Sequence, residues 1–280
     1  MRSILLEAVL LVAASLLAVC VVLGFLPGDG SWMSRTGELL SAAASFDFGY
    51  STVARDDVVR ATWHAVGSSV TLVAGTTLLL LAVGVPLGLA SAARPRQLAL
   101  RTANRVVDLL SALPVLVWST LIFVLAARAG GVILRGDARL APAIAAAVLA
   151  LFLGDRLLSD LVQRVTVRGR EVLAEPYMRT VRASGFGVRR HLLLSVVPAV
   201  GESVASRAVF LVSGAIVAER VFAVNGLGFL VIQALVQQEQ EPRLVLAAAM
   251  ALVCIALSLR AVSRTAALLA DPRLGQPRAT

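Results

Sequence analysis

Apolar runs close to the width of a bilayer alternate along this chain with short segments in which the charged residues gather. The first run begins at Ile4 and continues to Leu26, interrupted only by Glu7 and small residues. Further runs cover residues 66–93, 106–127, 142 to about 158, 192–218, and 244 to about 269. A helix that crosses a membrane needs about 20 mostly apolar residues, so the pattern predicts six spans. The first run is too long for a signal peptide and lacks a clear cleavage site, which leaves it as a span. The fourth is short, predicting a tilted or interrupted helix, or one extended through Asp155 and Arg156.

The polar segments divide by charge. Four arginines (94, 96, 101 and 105) follow the second run, and eight lie between 156 and 190; the segments 35–60, 128–139 and 220–243 hold three, three and two. Basic loops resist translocation, so the two richer segments are expected inside the cell, with both chain termini. This predicts a first span at 1–26, an outer loop at 27–65 and a core at 66–280. That core carries a cytoplasmic loop at 159–191 and a tail at 270–280. Trp63 and His64 would sit at the outer membrane interface. Asp108 is expected to pair with Arg101 or Arg105.

Composition supports a polytopic membrane protein: 58% of residues are hydrophobic and 15% charged, against about 25% charged in soluble domains. Mean hydropathy is +0.86. The net charge of +9 does not indicate nucleic acid, because the arginines sit between apolar runs where anionic headgroups would meet them. All 26 basic residues are arginine. Without lysine, neither a Walker A motif nor a Schiff-base lysine is possible, so any ATP hydrolysis must come from a partner. Cys20 and Cys254 lie in apolar runs and read as packing residues. Two histidines, His64 and His191, make no metal-binding set. Glu202 and Arg207, within the fifth run, are the candidate pathway residues, each needing a partner or water. A secondary transporter would call for a longer line of buried ionisable groups, and a membrane enzyme for clustered His, Asp or Cys.

The segment from Glu175 to Pro198 carries the clearest motif. Tyr177, Arg179, Thr180, Arg182, Ala183 and Gly185 follow the order Tyr-x-Arg-Thr-Ala-Arg-Ala-x-Gly, with Val181 departing from it, and Pro198 follows Gly185 by thirteen residues. Residues 179–185 read as a short helix closed by glycine. Elsewhere the chain has Leu26-Pro27-Gly28-Asp29, an aromatic-Asp-aromatic-Gly stretch at Phe46–Gly49, and Glu219-Arg220-Val221-Phe222 followed by Gly226-Leu227-Gly228. Gln240-Glu241-Pro242 precedes the last run, and Asp271-Pro272-Arg273 follows it. In this order the motifs resemble the peptide-type permease subunits of ATP-binding-cassette importers, of the first-subunit kind, although the Asp-x-Pro usual before the last span is Gln240-Glu241-Pro242 here.

The resemblance implies an all-α membrane fold of six helices with a cytoplasmic coupling helix. It implies that Tyr177, Arg179, Thr180, Arg182, Ala183, Gly185, Arg189 and Arg190 meet an ATPase subunit. Glu219, Phe222, Gly226 and Gly228 become candidates for an outer gate or a packed turn. The implied partners are a second homologous permease subunit, two ATP-binding subunits that hold ATP and magnesium, and an extracytoplasmic solute-binding protein. The subunit itself would have no catalytic site and no cofactor of its own. Expected cargo is di- or oligopeptides; nickel or metal chelates are the alternative, and an ATPase-independent secondary transporter a more distant one.

Overall fold

In a computed structural model the chain is almost entirely helical. It describes residues 2–26, 31–128, 140–184, 187–236 and 241–270. The helices are α1 (Arg2–Gly24), α2 (Trp32–Ser45), α3 (Val58–Ala93), α4 (Leu98–Ser111), α5 (Val115–Arg128) and α6 (Leu140–Leu153). They continue with α7 (Leu157–Ala174), α8 (Tyr177–Ala183), α9 (Val188–Val221), α10 (Leu227–Val236) and α11 (Pro242–Ala270). A two-stranded hairpin, β1 (Tyr50–Ser51) and β2 (Asp56–Asp57), precedes α3.

Among the described residues α3, α9 and α11 are long and apolar enough to cross a membrane. Two bent pairs, α4–α5 at 93° and α6–α7 at 52°, bring the number to five if each is one broken span. The expected third span, 106–127, is therefore two helices meeting near a right angle. The expected fourth is interrupted at Gly154–Arg156, where Asp155 and Arg156 adopt φ of 54° and 59°. The first apolar run is carried by α1, which is 23 residues long.

The chain divides into two compact units. One comprises residues 1–73, 119–147 and 212–257; the other comprises 74–118, 148–211 and 258–280. The core of the first gathers Cys20, Leu23, Leu39, Phe48, Val58, Ala234 and Leu244. Its segment between α1 and α3 is ordered by local caps: Ser31 Oγ accepts from the Ser34 amide at 3.3 Å at the start of α2. Asp57 Oδ1 accepts from the Val59 amide at 2.9 Å, satisfying a donor with no intrahelical acceptor. That cap starts α3 at Val58, earlier than the boundary near residue 66 expected from hydropathy. Trp63 and His64 consequently lie on the helix, both exposed.

The second unit is built on close approach of α3 and α7. A Cβ at Gly84 would lie 2.7 Å from Leu161 Cδ2, and one at Gly88 would lie 2.7 Å from Val165 Cβ. One at Gly169 would lie 2.8 Å from Ala92 Cβ. Gly84, Gly88 and Ala92 are spaced by four, as are Leu161, Val165 and Gly169, so one stripe of each helix meets the other in register. Small residues spaced this way bring helix backbones together in lipid, where hydrophobicity gives no drive for association. Thr166 Oγ1 bridges the pair by donating to the carbonyl oxygens of Gly88 at 3.2 Å and Val162 at 2.7 Å. The stretch 159–169, expected at the start of a cytoplasmic loop, is thus helix packed on α3, because its Leu, Val and Gly positions match this stripe.

Two glycines of α3 make opposite predictions. A Cβ at Gly67 would meet nothing within 4 Å, while one at Gly88 would lie 3.0 Å from the Val162 carbonyl oxygen, a backbone atom. Gly88→Ala should destabilise the protein by about 1–3 kcal/mol through overpacking. Gly67→Ala should leave it unchanged or raise stability by up to about 1 kcal/mol through helix propensity. Apparent melting temperatures in detergent test this; equal shifts for both variants would refute the close α3–α7 contact.

Candidate functional site

The motif segment forms α8, which starts at Tyr177, two residues before the expected Arg179. Pro176 precedes it, with φ already suited to a helix start and no N–H to satisfy. The Met178 and Arg179 amides donate to the carbonyl oxygens of Glu175 and Pro176, both at 3.1 Å. At the far end the amide and hydroxyl of Ser184 both donate to the Thr180 carbonyl oxygen at 2.9 Å. Met178 is fully buried with Val172 and Leu192, and Val181 packs against the same cluster. Tyr177, Arg179, Thr180 and Ala183 are exposed. One buried methionine thus holds a seven-residue helix whose other face is open. The sequence does not single out Met178, although its spacing of three from Val181 marks the inner face. Gly185 and the side chains of Arg182, Arg189 and Arg190 lie outside the described residues.

The helices on either side of α8 are tied together. Arg207 of α9 forms an ion pair with Asp160 of α7, and its guanidinium lies 5.2 Å from the centroid of the Phe210 ring. Glu202, the other candidate pathway residue, is exposed, and the structure does not bring it to Arg207. Pairing within the second unit accounts for the arginine, since a lone charge inside a bilayer costs about 2.5–3.5 kcal/mol on insertion scales. Asp160 falls where the sequence reads as loop, so its role emerges only because α7 continues the fourth apolar run.

The α4–α5 bend and the α6–α7 bend cap one another. Asp155 Oδ1 accepts from the Val115 amide at 3.1 Å, at the first turn of α5. The Asp155 and Arg156 amides donate to the carbonyl oxygens of Leu113 at 3.2 Å and Ser111 at 2.9 Å. Gly154 fits because a Cβ there would be 2.8 Å from Val115 Cα. Asp108 accepts from the Ser159 hydroxyl and does not pair with Arg101 or Arg105 as expected. The packing of α4 on α7 sets Ser159 beside it, while Arg101 Nε donates to the Pro95 carbonyl oxygen at 3.0 Å.

In the first unit, the Glu219–Gly228 motif forms a tight reversal from α9 into α10. Glu219 is 0% exposed. Its Oε2 accepts from the amides of Gly228 at 2.7 Å and Phe229 at 3.3 Å, and its Oε1 accepts from Ser69 Oγ at 2.6 Å. The Ser69 hydroxyl oxygen in turn accepts from the Leu227 amide at 2.9 Å. The first three amides of α10, which have no intrahelical acceptor, are therefore all satisfied by two side chains. A negative group here also complements the helix N-terminus. Space explains the glycines: a Cβ at Gly226 would be 2.3 Å from Glu219 Cδ, and one at Gly228 2.4 Å from Ile216 Cα. Phe222 is buried and meets Phe123 edge to face, with centroids 6.4 Å apart. Sequence reading misses Ser69, since it lies 150 positions from Glu219.

Glu241 holds a second turn in the same unit. Its carboxylate accepts from the hydroxyls of Ser51 and Thr52, both at 2.5 Å, and from the amides of Thr52 at 2.7 Å and Val53 at 3.1 Å. Burial pushes its pKa up, but the hydrogen bonds from Ser51, Thr52 and Val53 outweigh this and hold it below the usual carboxylate value. Glu241 is the middle residue of Gln240-Glu241-Pro242, and Gln240, at the aspartate position of Asp-x-Pro, lies outside the described residues.

The family model for the inner membrane component of binding-protein-dependent transport systems matches residues 84–276, more than half of the 280-residue chain. No curated protein matches it.

The two carboxylates generate separate expectations. Glu219→Ala leaves the Gly228 and Phe229 amides and the Ser69 hydroxyl without their acceptor, at about 1–3 kcal/mol per group. Its apparent melting temperature should fall well below that of Glu202→Ala, which should match the parent; similar values for the two would refute the capping role. For Glu241 the folded pKa is lowered, so its stabilisation is complete above the ordinary value of 4.5 and is lost as pH falls through the lower folded value. Hydrogen exchange of the Thr52 and Val53 amides, corrected for intrinsic rates, should lose protection on acidification. In Glu241→Gln protection should be low at every pH, and unaltered pH dependence in that variant would contradict the assignment.

Proposed function

The chain belongs to the family of inner membrane components of binding-protein-dependent transport systems, and from that premise we propose that it is one of two homologous permease subunits of an ATP-driven peptide importer. A permease of this kind works with a solute-binding protein and an ATPase. On this reading α8 is the coupling helix: the observation that carries it is a short helix anchored through Met178, with Tyr177, Arg179, Thr180 and Ala183 left open to a partner. ATP and magnesium are held by two partner subunits. Closure of that ATPase pair pushes on α8, and the energy comes from the different contacts ATP makes with its open and closed states.

The second unit is suited to carry such a push. α8 is packed on α7 and α9 through Val172, Met178 and Leu192, α7 is packed on α3, and Arg207 joins α9 to α7. Displacement of α8 would then move a packed group of helices, since closely packed contacts shift as units and do not deform continuously. Peptide cargo is supported by the resemblance of 177–185 to the peptide-type branch, with Leu26-Pro27-Gly28-Asp29 and Asp271-Pro272-Arg273 at their expected places. Six spans with 27–65 outside and both termini inside complete the proposal.

Arg179→Glu reverses a charge on the open face of α8 and should weaken ATPase association about tenfold, the equivalent of one charged hydrogen bond. The variant should insert and melt like the parent. Co-purification of the ATPase subunits and uptake of labelled di- and oligopeptides should fall together. Retention of both activities would remove α8 as the coupling element, and uptake of nickel or chelates in place of peptides would overturn the cargo.

A further inference from the structure

The helix α4 has an outward face that the chain's own packing leaves uncovered. Leu98 and Leu109 are each 73% exposed and Val106 is 53% exposed. On a helix of 3.6 residues per turn these three fall on one side, together with Thr102. Arg101 and Arg105, both exposed, follow one edge of that side, and Arg94 and Arg96, also exposed, lie in the turn that leads into it. The opposite side is the packed one. Ser111 is buried, Asn104 Nδ2 donates to the Ser91 hydroxyl oxygen at 3.1 Å, and Val107 packs in the α3–α7 core.

The direction of α4 decides what can cover the open face. It meets the apolar helix α5 at 93°, and the corner is fixed by Trp118 Nε1, which donates to the Leu110 carbonyl oxygen at 2.9 Å. Spanning helices tilt by about 20° on average, so if α5 runs across the bilayer, α4 lies near its plane. We propose that α4 is an in-plane helix bound to anionic phospholipid, with Leu98, Val106 and Leu109 in the acyl boundary and Arg101 and Arg105 on headgroup phosphates. An amphipathic helix with apolar side chains on one face and arginines at its edge fits that depth. The positive charges select anionic over zwitterionic lipid, each contributing about fivefold near a charged surface. Asp108, exposed three residues beyond Arg105, accepts from the Ser159 hydroxyl and offsets part of this charge, but with Arg94 and Arg96 beside Arg101 and Arg105 the segment stays net basic. This inference needs only membrane insertion and stands apart from the coupling role of α8.

Two measurements on the full-length protein in lipid nanodiscs test it. In a variant with Cys20 and Cys254 replaced by alanine, a nitroxide at Leu109→Cys should be protected from a water-soluble relaxing agent and reached by oxygen. A label at Thr52→Cys, in an exposed turn, provides the aqueous reference. Retention of phosphatidylglycerol over phosphatidylcholine, read by native mass spectrometry, should fall about thirtyfold in the Arg101→Gln/Arg105→Gln variant. The same double substitution should leave the melting temperature unchanged, which shows that the protein still folds. A Leu109 label as water-accessible as the Thr52 label would overturn the proposal. So would unchanged lipid preference in the double variant, or protection of the Leu109 label that appears only when ATPase subunits are added.

Discussion

A backbone amide without an acceptor in apolar surroundings costs several kcal/mol, and this chain repeatedly breaks its apolar helices. At three of the described breaks the answer is a carboxylate. Asp155 caps the first turn of α5, Glu219 caps α10, and Glu241 collects the amides of the 52–53 turn immediately before α11. These three, of the chain's 17 acidic residues, serve the backbone. A carboxylate suits this work because its two oxygens can accept several donors at once and its charge matches the positive end of a helix. The interruptions that would otherwise be weak points become fixed corners.

Fixed corners matter for the proposed coupling, in which force passes between helices without loss of packing. α7 is held on α3 by the glycine stripe and on α9 by Asp160–Arg207, and α8 hangs between α7 and α9 on Met178. The ion pair is best understood as a constraint on register. Removing one partner of this half-buried pair would leave the other charge without compensation, whereas the intact pair contributes little net stability. Charge is thereby used to fix which turn of α9 faces which turn of α7, a role that apolar side chains sliding past one another would fill less selectively.

The same logic separates the two buried or half-buried carboxylates of the first unit. Glu219 is enclosed, with one donor on Oε1 and two on Oε2, and at 0% exposure it offers no access to a solute. Glu241 is partly open and grips a turn from a segment 190 positions away. Its hold on Ser51 and Thr52 orders the hairpin that leads into α3, and that order depends on the carboxylate keeping its charge.

Membrane residence, the long helices α3, α9 and α11, and the positions of the motifs were legible in the sequence. Each depends on local composition or spacing: an apolar run of sufficient length, or glycines at set intervals from a glutamate. The α8 helix was legible to within two residues for the same reason. The corners were not. Residues 106–127 read as one apolar run because a break at Pro114 changes hydropathy little; the cap from Asp155, forty positions away, helps make the break stable. Residues 159–169 read as loop because Asp160 and Arg164 look soluble, until Arg207 and the glycines of α3 supply their neighbours. Ser69, Met178 and Ser159 carry no signal by themselves. Their parts were decided by tertiary structure alone, because a hydrogen-bond acceptor or a close backbone contact exists only once distant segments have been brought together.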